Sequence, residues 1–223
     1  IDWSVPIMFN IAIDGPAGAG KSTIAKILAE KLNMSYVDTG AMYRAVALKA
    51  IREGIDTKNR EELAQLVQNI SIEIKYNGNE QVIYLDGEDV SSKIRTPEVS
   101  VGASNVATIP EVRLKMVELQ RKIAKSSSVV MDGRDIGTYV LPDADLKIFL
   151  TASVEERAKR RYKEQIEKGI RDISLEEVMR DIEYRDLNDA NREFAPLAKA
   201  EDAIELDTTN MTAQEAADKI MSY

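Results

Sequence analysis

An α/β fold built on a parallel sheet is predicted by two features of this 223-residue chain. Apolar, strand-like runs alternate with stretches of helical spacing, and the first strand–helix junction carries the glycine-rich loop GPAGAGKST, Gly15 to Thr23. A third feature modifies the plan. Between about Ile70 and Ile94 apolar and polar residues alternate around a turn, which predicts an inserted hairpin exposed on one face.

Each element has its own signal. Phe9 to Asp14 is short and β-rich, and Lys21 to Leu32 spaces Ile24, Ile27, Leu28 and Leu32 as a helix does. Ser35 to Asp38 reads as a second strand and Ala41 to Arg52 as a second helix. The hairpin follows as ISIEIKY, the turn Asn77 to Asn79, and QVIYLDGEDV; two helices then start near Pro97 and Pro110. The main sheet resumes with Ser127 to Asp132, Leu146 to Thr151 and Ala203 to Asp207. Capping boxes announce three more helices: Ser153 with Glu156, Ser174 with Glu177, and Thr212 with Glu215. No internal repeat is visible.

Composition narrows the function. The length suits one domain with small inserted subdomains. The hydrophobic fraction of 44% and charged fraction of 30% are those of an ordinary globular protein. There is no cysteine, which removes disulfides, thiolate metal sites and cysteine nucleophiles, and no histidine, which leaves proton transfer to a carboxylate, a lysine or a substrate group. A net charge of −8 argues against nucleic acid or an anionic membrane as partner. No apolar run approaches the roughly 18 to 20 residues of a membrane span, and IDWSVPIMFN lacks the features of a secretory signal, so a cytoplasmic location is expected. Met8 reads as the natural start, with Ile1 to Ile7 a cloning remnant.

Gly15-x4-Gly20-Lys21-Ser22 fits the phosphate-binding P-loop pattern in the strand–helix context that the pattern requires. The loop from Gly15 through Ala17, Gly18, Ala19 and Gly20 is expected to turn its amides toward the phosphates of ATP or GTP, continuing into Thr23. Lys21 supplies a charge for the outer phosphates. Ser22 is placed to ligate Mg²⁺, with Asp132 at the end of VVMD a second candidate, acting through water. Neither the guanine-reading N-K-x-D nor the Asp-Glu strand end of motor ATPases occurs.

Arginines then mark a second anion site. Arg44, one turn into the helix opened by DTGAMYR, suits an anion held near a helix N-terminus, or is simply solvated. Arg134 and Asp135 follow a strand at its carboxyl end, where open α/β sheets bind ligands. Arg185, Asp189 and Arg192 fall within an arc of roughly 60° at about 100° per helical residue; they form either a site face or an exposed ion-pair ladder. Arg157, Arg160 and Arg161, followed by EKGIRD, read as a lid over ATP or as a plain surface helix.

With GPAGAGKST, DTGAMYR, the hairpin with DGEDVSSKIRTPEVS, VVMDGRDIG and RDLNDANREFAPL in this order, the sequence resembles the bacterial-type cytidylate kinases from Phe9 to the last helix. The resemblance implies a P-loop kinase fold: a parallel five-stranded sheet with helices on both faces, an enlarged monophosphate-binding subdomain at about 39–108, and a short lid at about 159–174, all within one domain. It implies the reaction of ATP with CMP or dCMP, with Mg²⁺, to give ADP and CDP or dCDP. A monomer is expected, because no exposed heptad or long apolar helix face calls for a partner. The resemblance assigns catalytic roles to Lys21, Arg134 and Arg192. Thr39 and Arg44 would bind the acceptor near its base and α-phosphate, Arg134 and Arg192 its phosphate, and Arg185 and Asp189 its sugar. Asp135 would face the cytosine, with Ser104 and Arg113 on the rest of the base edge. One departure is Ser22, where many members have glycine. Two alternatives remain: another small-molecule P-loop kinase, including one for a hydroxyl acceptor with Asp38 as base, or a nucleotide-dependent regulatory module that hydrolyses slowly.

Overall fold

A computed structural model describes residues 8–78, 80–167 and 169–223. The expectation for Ile1 to Ile7 therefore lies outside the described residues, as do one residue of the predicted turn, Asn79, and one of the predicted lid, Lys168.

Strands β1 (Asn10–Asp14), β2 (Ser35–Asp38), β6 (Val129–Gly133), β7 (Leu146–Thr151) and β8 (Ile204–Asp207) form one sheet in the order β2-β6-β1-β7-β8, with every pairing parallel. Strand β1 is near-continuously apolar because both faces of a parallel sheet are covered. Its alternate residues serve different layers. Ile11 and Ile13 pack with Ile24 and Leu28 of α1 (Lys21–Leu32) and Ala217 and Ile220 of α8 (Ala213–Met221). Ala12 faces the opposite layer, with Val117 and Ala124 of α5 (Pro110–Ser126). The predicted five-stranded sheet with helices on both faces is the one observed.

A separate apolar cluster lies between β2 and α5. It joins α2 (Thr39–Arg52), α3 (Arg60–Leu66) and α4 (Pro97–Val106) to the inserted strands β3 (Ile72–Asn77) and β4 (Glu80–Leu85). The insertion is a three-stranded antiparallel sheet rather than the predicted two-stranded hairpin. Asp86 and Gly87 both have positive φ, 49° and 85°, so a tight turn folds β5 (Glu88–Asp89) back onto β4. Helix α3 was not predicted from the pattern; Asn59 caps it by accepting from Glu62 N.

Helix ends follow their caps. Helix α2 begins at Thr39, two residues before the expected Ala41, because Asp38 accepts from Ala41 N at 2.9 Å. The capping boxes at Ser174 and Thr212 are complete and start α7 (Leu175–Asn191) and α8. The box at Ser153 is half formed: Glu156 N donates to Ser153 Oγ at 3.2 Å, but the Glu156 carboxylate turns to Arg160 Nε at 3.0 Å. Helix α6 (Val154–Glu167) starts there nonetheless. Helix α7 ends at Asn191, so Arg192 leaves the predicted helical face in an extended conformation, φ −66° and ψ 139°. Among the described residues no helix is long and apolar enough to cross a membrane.

Candidate active site

The register Asp14↔Gly133 sets the carboxyl ends of β1 and β6 side by side, so the loops that follow them open into one cleft of about 1250 Å³. The first is the P-loop. Gly15 has φ 147°, and a Cβ there would lie 2.2 Å from the Leu150 carbonyl oxygen, so no larger residue fits. Lys21, at the start of α1, is buried and donates to Pro16 O at 2.7 Å. Burial, then the charge of Arg134, lowers its pKa to about 7.

Ser22 Oγ donates to Asp132 Oδ2 at 2.7 Å and Tyr36 OH to Asp132 Oδ1 at 3.1 Å. Burial, then the nearby Asp38 charge, raises the Asp132 pKa to about 6. A hydroxyl beside a buried carboxylate is an oxygen donor set that fits Mg²⁺, which binds through one or two carboxylates and completes its shell with water and substrate phosphates.

The second loop is tied to the first by Asp14, whose carboxylate accepts from Ile136 N at 2.8 Å and Gly137 N at 2.7 Å. Arg134 and Asp135 thereby line the same cleft as the P-loop. Arg134 Nε donates to Asp189 Oδ2 at 2.6 Å, and Arg113 is paired with Asp135 Oδ2 in close contact. Arg192 bridges the two carboxylates, 3.5 Å from Asp135 Oδ1 and 3.8 Å from Asp189 Oδ1. The result is an alternating chain of guanidinium and carboxylate groups across the cleft floor.

The remaining predicted residues converge on the same cleft. Thr39 Oγ1 donates to the Asp132 carbonyl at 2.6 Å, and Ser104 Oγ accepts from Asn188 at 3.1 Å. Arg185 Nε is 3.2 Å from Asp181, and Arg44 Nη1 is 3.9 Å from Asp38. Arg160 and Arg161 line the opening beside Gly20. Arg157 does not join them. It is buried, donating to Ala17 O at 2.9 Å, Asp186 at 2.7 Å and Ala152 O at 3.0 Å, and so braces the P-loop against α6 and α7. Four further residues were not singled out from sequence: Asp14, Tyr36, Gln81 and Arg95. The last three act through side chains brought from distant segments; only Asp14, the acid just before the P-loop glycine, had a local signal.

A parallel sheet with a P-loop after its central strand, an inserted lobe and an arginine-rich cleft between them define the protein as a P-loop kinase. The chain belongs to the cytidylate kinase family, whose sequence profile matches residues 11–223. The cytidylate kinase of Clostridioides difficile is 58% identical over 212 residues, covering 95% of this chain and 96% of its own. That of Caldicellulosiruptor saccharolyticus is 55% identical over 212 residues, 95% and 93% of the two chains. Among solved structures, an uncharacterized protein from Eubacterium ventriosum aligns over 97% of this chain and 98% of its own, with a TM-score of 0.53 at 16% identity, a likeness of fold.

Proposed function

We propose that this protein transfers a phosphoryl group from ATP to CMP and dCMP, giving CDP and dCDP in pyrimidine nucleotide metabolism. The observation that carries this reading is the cleft: a P-loop at one end, a guanidinium–carboxylate chain at the other, and no histidine anywhere in the sequence. A phosphate acceptor is already anionic, so it needs charge and position rather than a general base.

In this scheme Lys21 meets the outer phosphates of ATP, and Arg134 and Arg192 exchange their carboxylate partners for the phosphates brought together. Arg44 holds the acceptor's phosphate, and Arg185 and Asp189 its sugar. The Asp135 carboxylate accepts from the 4-amino group of cytosine while Arg113 donates to O2 and N3; uracil offers a carbonyl at position 4 and is repelled. Thr39 and Ser104 complete the base pocket. Ser22, and Asp132 through water, would hold Mg²⁺, which when bound would supply charge to neutralise the ATP phosphates. The lobe at 39–108 closes over the acceptor and the segment at 159–174, with Arg160 and Arg161, over ATP, in a cytoplasmic monomer. The alternative of a hydroxyl acceptor has little support, because Asp38 is a poor base: burial raises its pKa, but Arg44 and Arg95 outweigh that and hold it below the ordinary value.

The test is ADP release from MgATP with CMP, dCMP, UMP, AMP, GMP or no acceptor. Fast turnover with CMP and dCMP alone is expected. Equal turnover without an acceptor would mean that the phosphate passes to water and would overturn the reading.

A further inference from the structure

The inserted sheet does more than enlarge the lobe. It is clasped to the end of β2, the strand that leads into the acceptor end of the cleft. Tyr76 OH, on β3, donates to Tyr36 O at 3.0 Å, and Gln81, on β4, uses its amide to accept from Asp38 N at 2.8 Å and donate to Asp38 O at 3.4 Å. Gln81 thus serves the edge of the main sheet as a neighbouring strand would. The chain leaves this inserted sheet through a 3₁₀ turn, Lys93–Arg95, and enters α4. The last residue of the turn lines the cleft.

Arg95 Nη2 donates to Asp38 Oδ2 at 3.2 Å, and Arg44 Nη1 stands 3.9 Å from that same oxygen. The other oxygen, Oδ1, is occupied by the amide of Ala41. Two guanidinium groups therefore share one carboxylate, which leaves an excess of positive charge at this point. The cationic surroundings are wider still. Burial depresses the Arg44 pKa, Asp38 opposes that effect, and Arg95, Arg185 and Arg161 reinforce it. Arg95 is more exposed than Arg44, with 48% of its side-chain surface open against 19%.

We infer that Arg95, carried by the inserted lobe, is a further ligand of the acceptor's phosphate, parked on Asp38 until that phosphate arrives. The inference rests on the reading of Arg44 as a phosphate ligand. Its chemistry is an exchange of partners. A single hydrogen bond to a shared carboxylate gives way to the forked, charge-assisted contact that guanidinium makes with phosphate oxygens. Because Arg95 belongs to the insertion, its charge reaches the phosphate together with the lobe, so binding of a phosphorylated acceptor and seating of the lobe are coupled.

The experiment compares the affinities of CMP and cytidine, by calorimetry, for the full-length wild type, Arg95→Ala, Arg95→Lys and Arg44→Ala, with melting curves alongside. The wild type should bind CMP more tightly than cytidine. In Arg95→Ala the CMP affinity should fall roughly 10- to 100-fold, as for loss of a hydrogen bond between charged partners, with cytidine affinity unchanged. Arg95→Lys, which keeps the charge and loses the fork, should fall between. A merely structural role would weaken both ligands equally, and that outcome overturns the proposal. So does an Arg95→Ala whose CMP-to-cytidine ratio matches the wild type while Arg44→Ala lowers it; the reading of Arg44 then stands alone. If Arg44→Ala also leaves the ratio unchanged, the phosphate site itself has been misplaced and the proposal falls with it.

Discussion

Asp135→Ala removes the carboxylate that two buried arginines share, and its cost can be worked from their surroundings. Arg113 has no exposed surface, its Nε has no hydrogen-bond partner, and besides Asp135 its guanidinium meets Ala107 O at 3.3 Å and the Tyr43 ring at 5.5 Å. Without Asp135 its charge stays buried with a carbonyl, a ring face and the more distant Asp189 carboxylate to compensate it. Arg192 retains Asp189 at 3.8 Å and suffers less. Removing one partner of a buried pair costs about 3 to 5 kcal/mol, which for a chain of this size lowers Tm by roughly 6 to 20 °C. The assay is thermal and urea unfolding of the ligand-free protein at neutral pH, extended to Arg113→Met and to the double variant. Removing both charges restores most of the lost stability, because the desolvation of the remaining cation disappears with it. CMP turnover should fall far more than ATP binding in Asp135→Ala, and it should not return in the double variant. A melting point within about 4 °C of wild type, or a double variant no more stable than Asp135→Ala, would refute the argument.

Two other outcomes follow from the same site. Burial is the largest cause holding both Asp14 and Asp132 at about 6, above the ~3.9 of an unfolded aspartate, so between those values the folded state binds more protons than the unfolded one. The contribution of these two groups to the stability of the ligand-free protein should therefore fall as pH rises from about 4 to 6, whereas above about 7 the depressed Lys21 works in the opposite direction; Asp132→Asn should flatten the fall in the urea-midpoint profile, and an unchanged profile counts against the assignment. Gly15→Ala drives a Cβ to 2.2 Å from Leu150 O at φ 147° and should cost more than about 3 kcal/mol or abolish soluble expression, whereas Gly54→Ala, at φ 70° with open space around it, should cost only about 1 to 2 kcal/mol. Equal melting points for the two glycine variants would show that the loop relaxes.

The fold was legible where its signals are local. Lys21–Leu32, Ser35–Asp38 and Leu146–Thr151 have the predicted boundaries because hydrophobic periodicity and flanking turn residues specify them. Errors arose where a short-range feature competed with a longer one. Asp38 looked like a strand end and is also a cap, which moved the start of α2; Asp86-Gly87 looked like part of one strand and is a turn, which added β5. Glu156 completed a capping box in the sequence, but Arg160, one turn along the same helix, took its carboxylate. Helix α3 is only seven residues long, too short for a periodic pattern to stand out.

The candidate site divides the same way. Sequence alone determined that a phosphate loop follows the first strand, that arginines and aspartates recur after strand ends, and, through the resemblance, most of the arginines that line the cleft. These are properties of residue type and spacing along a few turns. Only the tertiary structure decided how the charges are paired. Asp135 answers Arg113 from 22 positions away, Asp189 answers Arg134 from 55, and Asp38 answers Arg95 from 57. It also moved Arg157 out of the cleft and into a brace on Ala17, and brought Arg95 in. A buried charge takes whichever partner packing places within reach, and no local pattern specifies that choice.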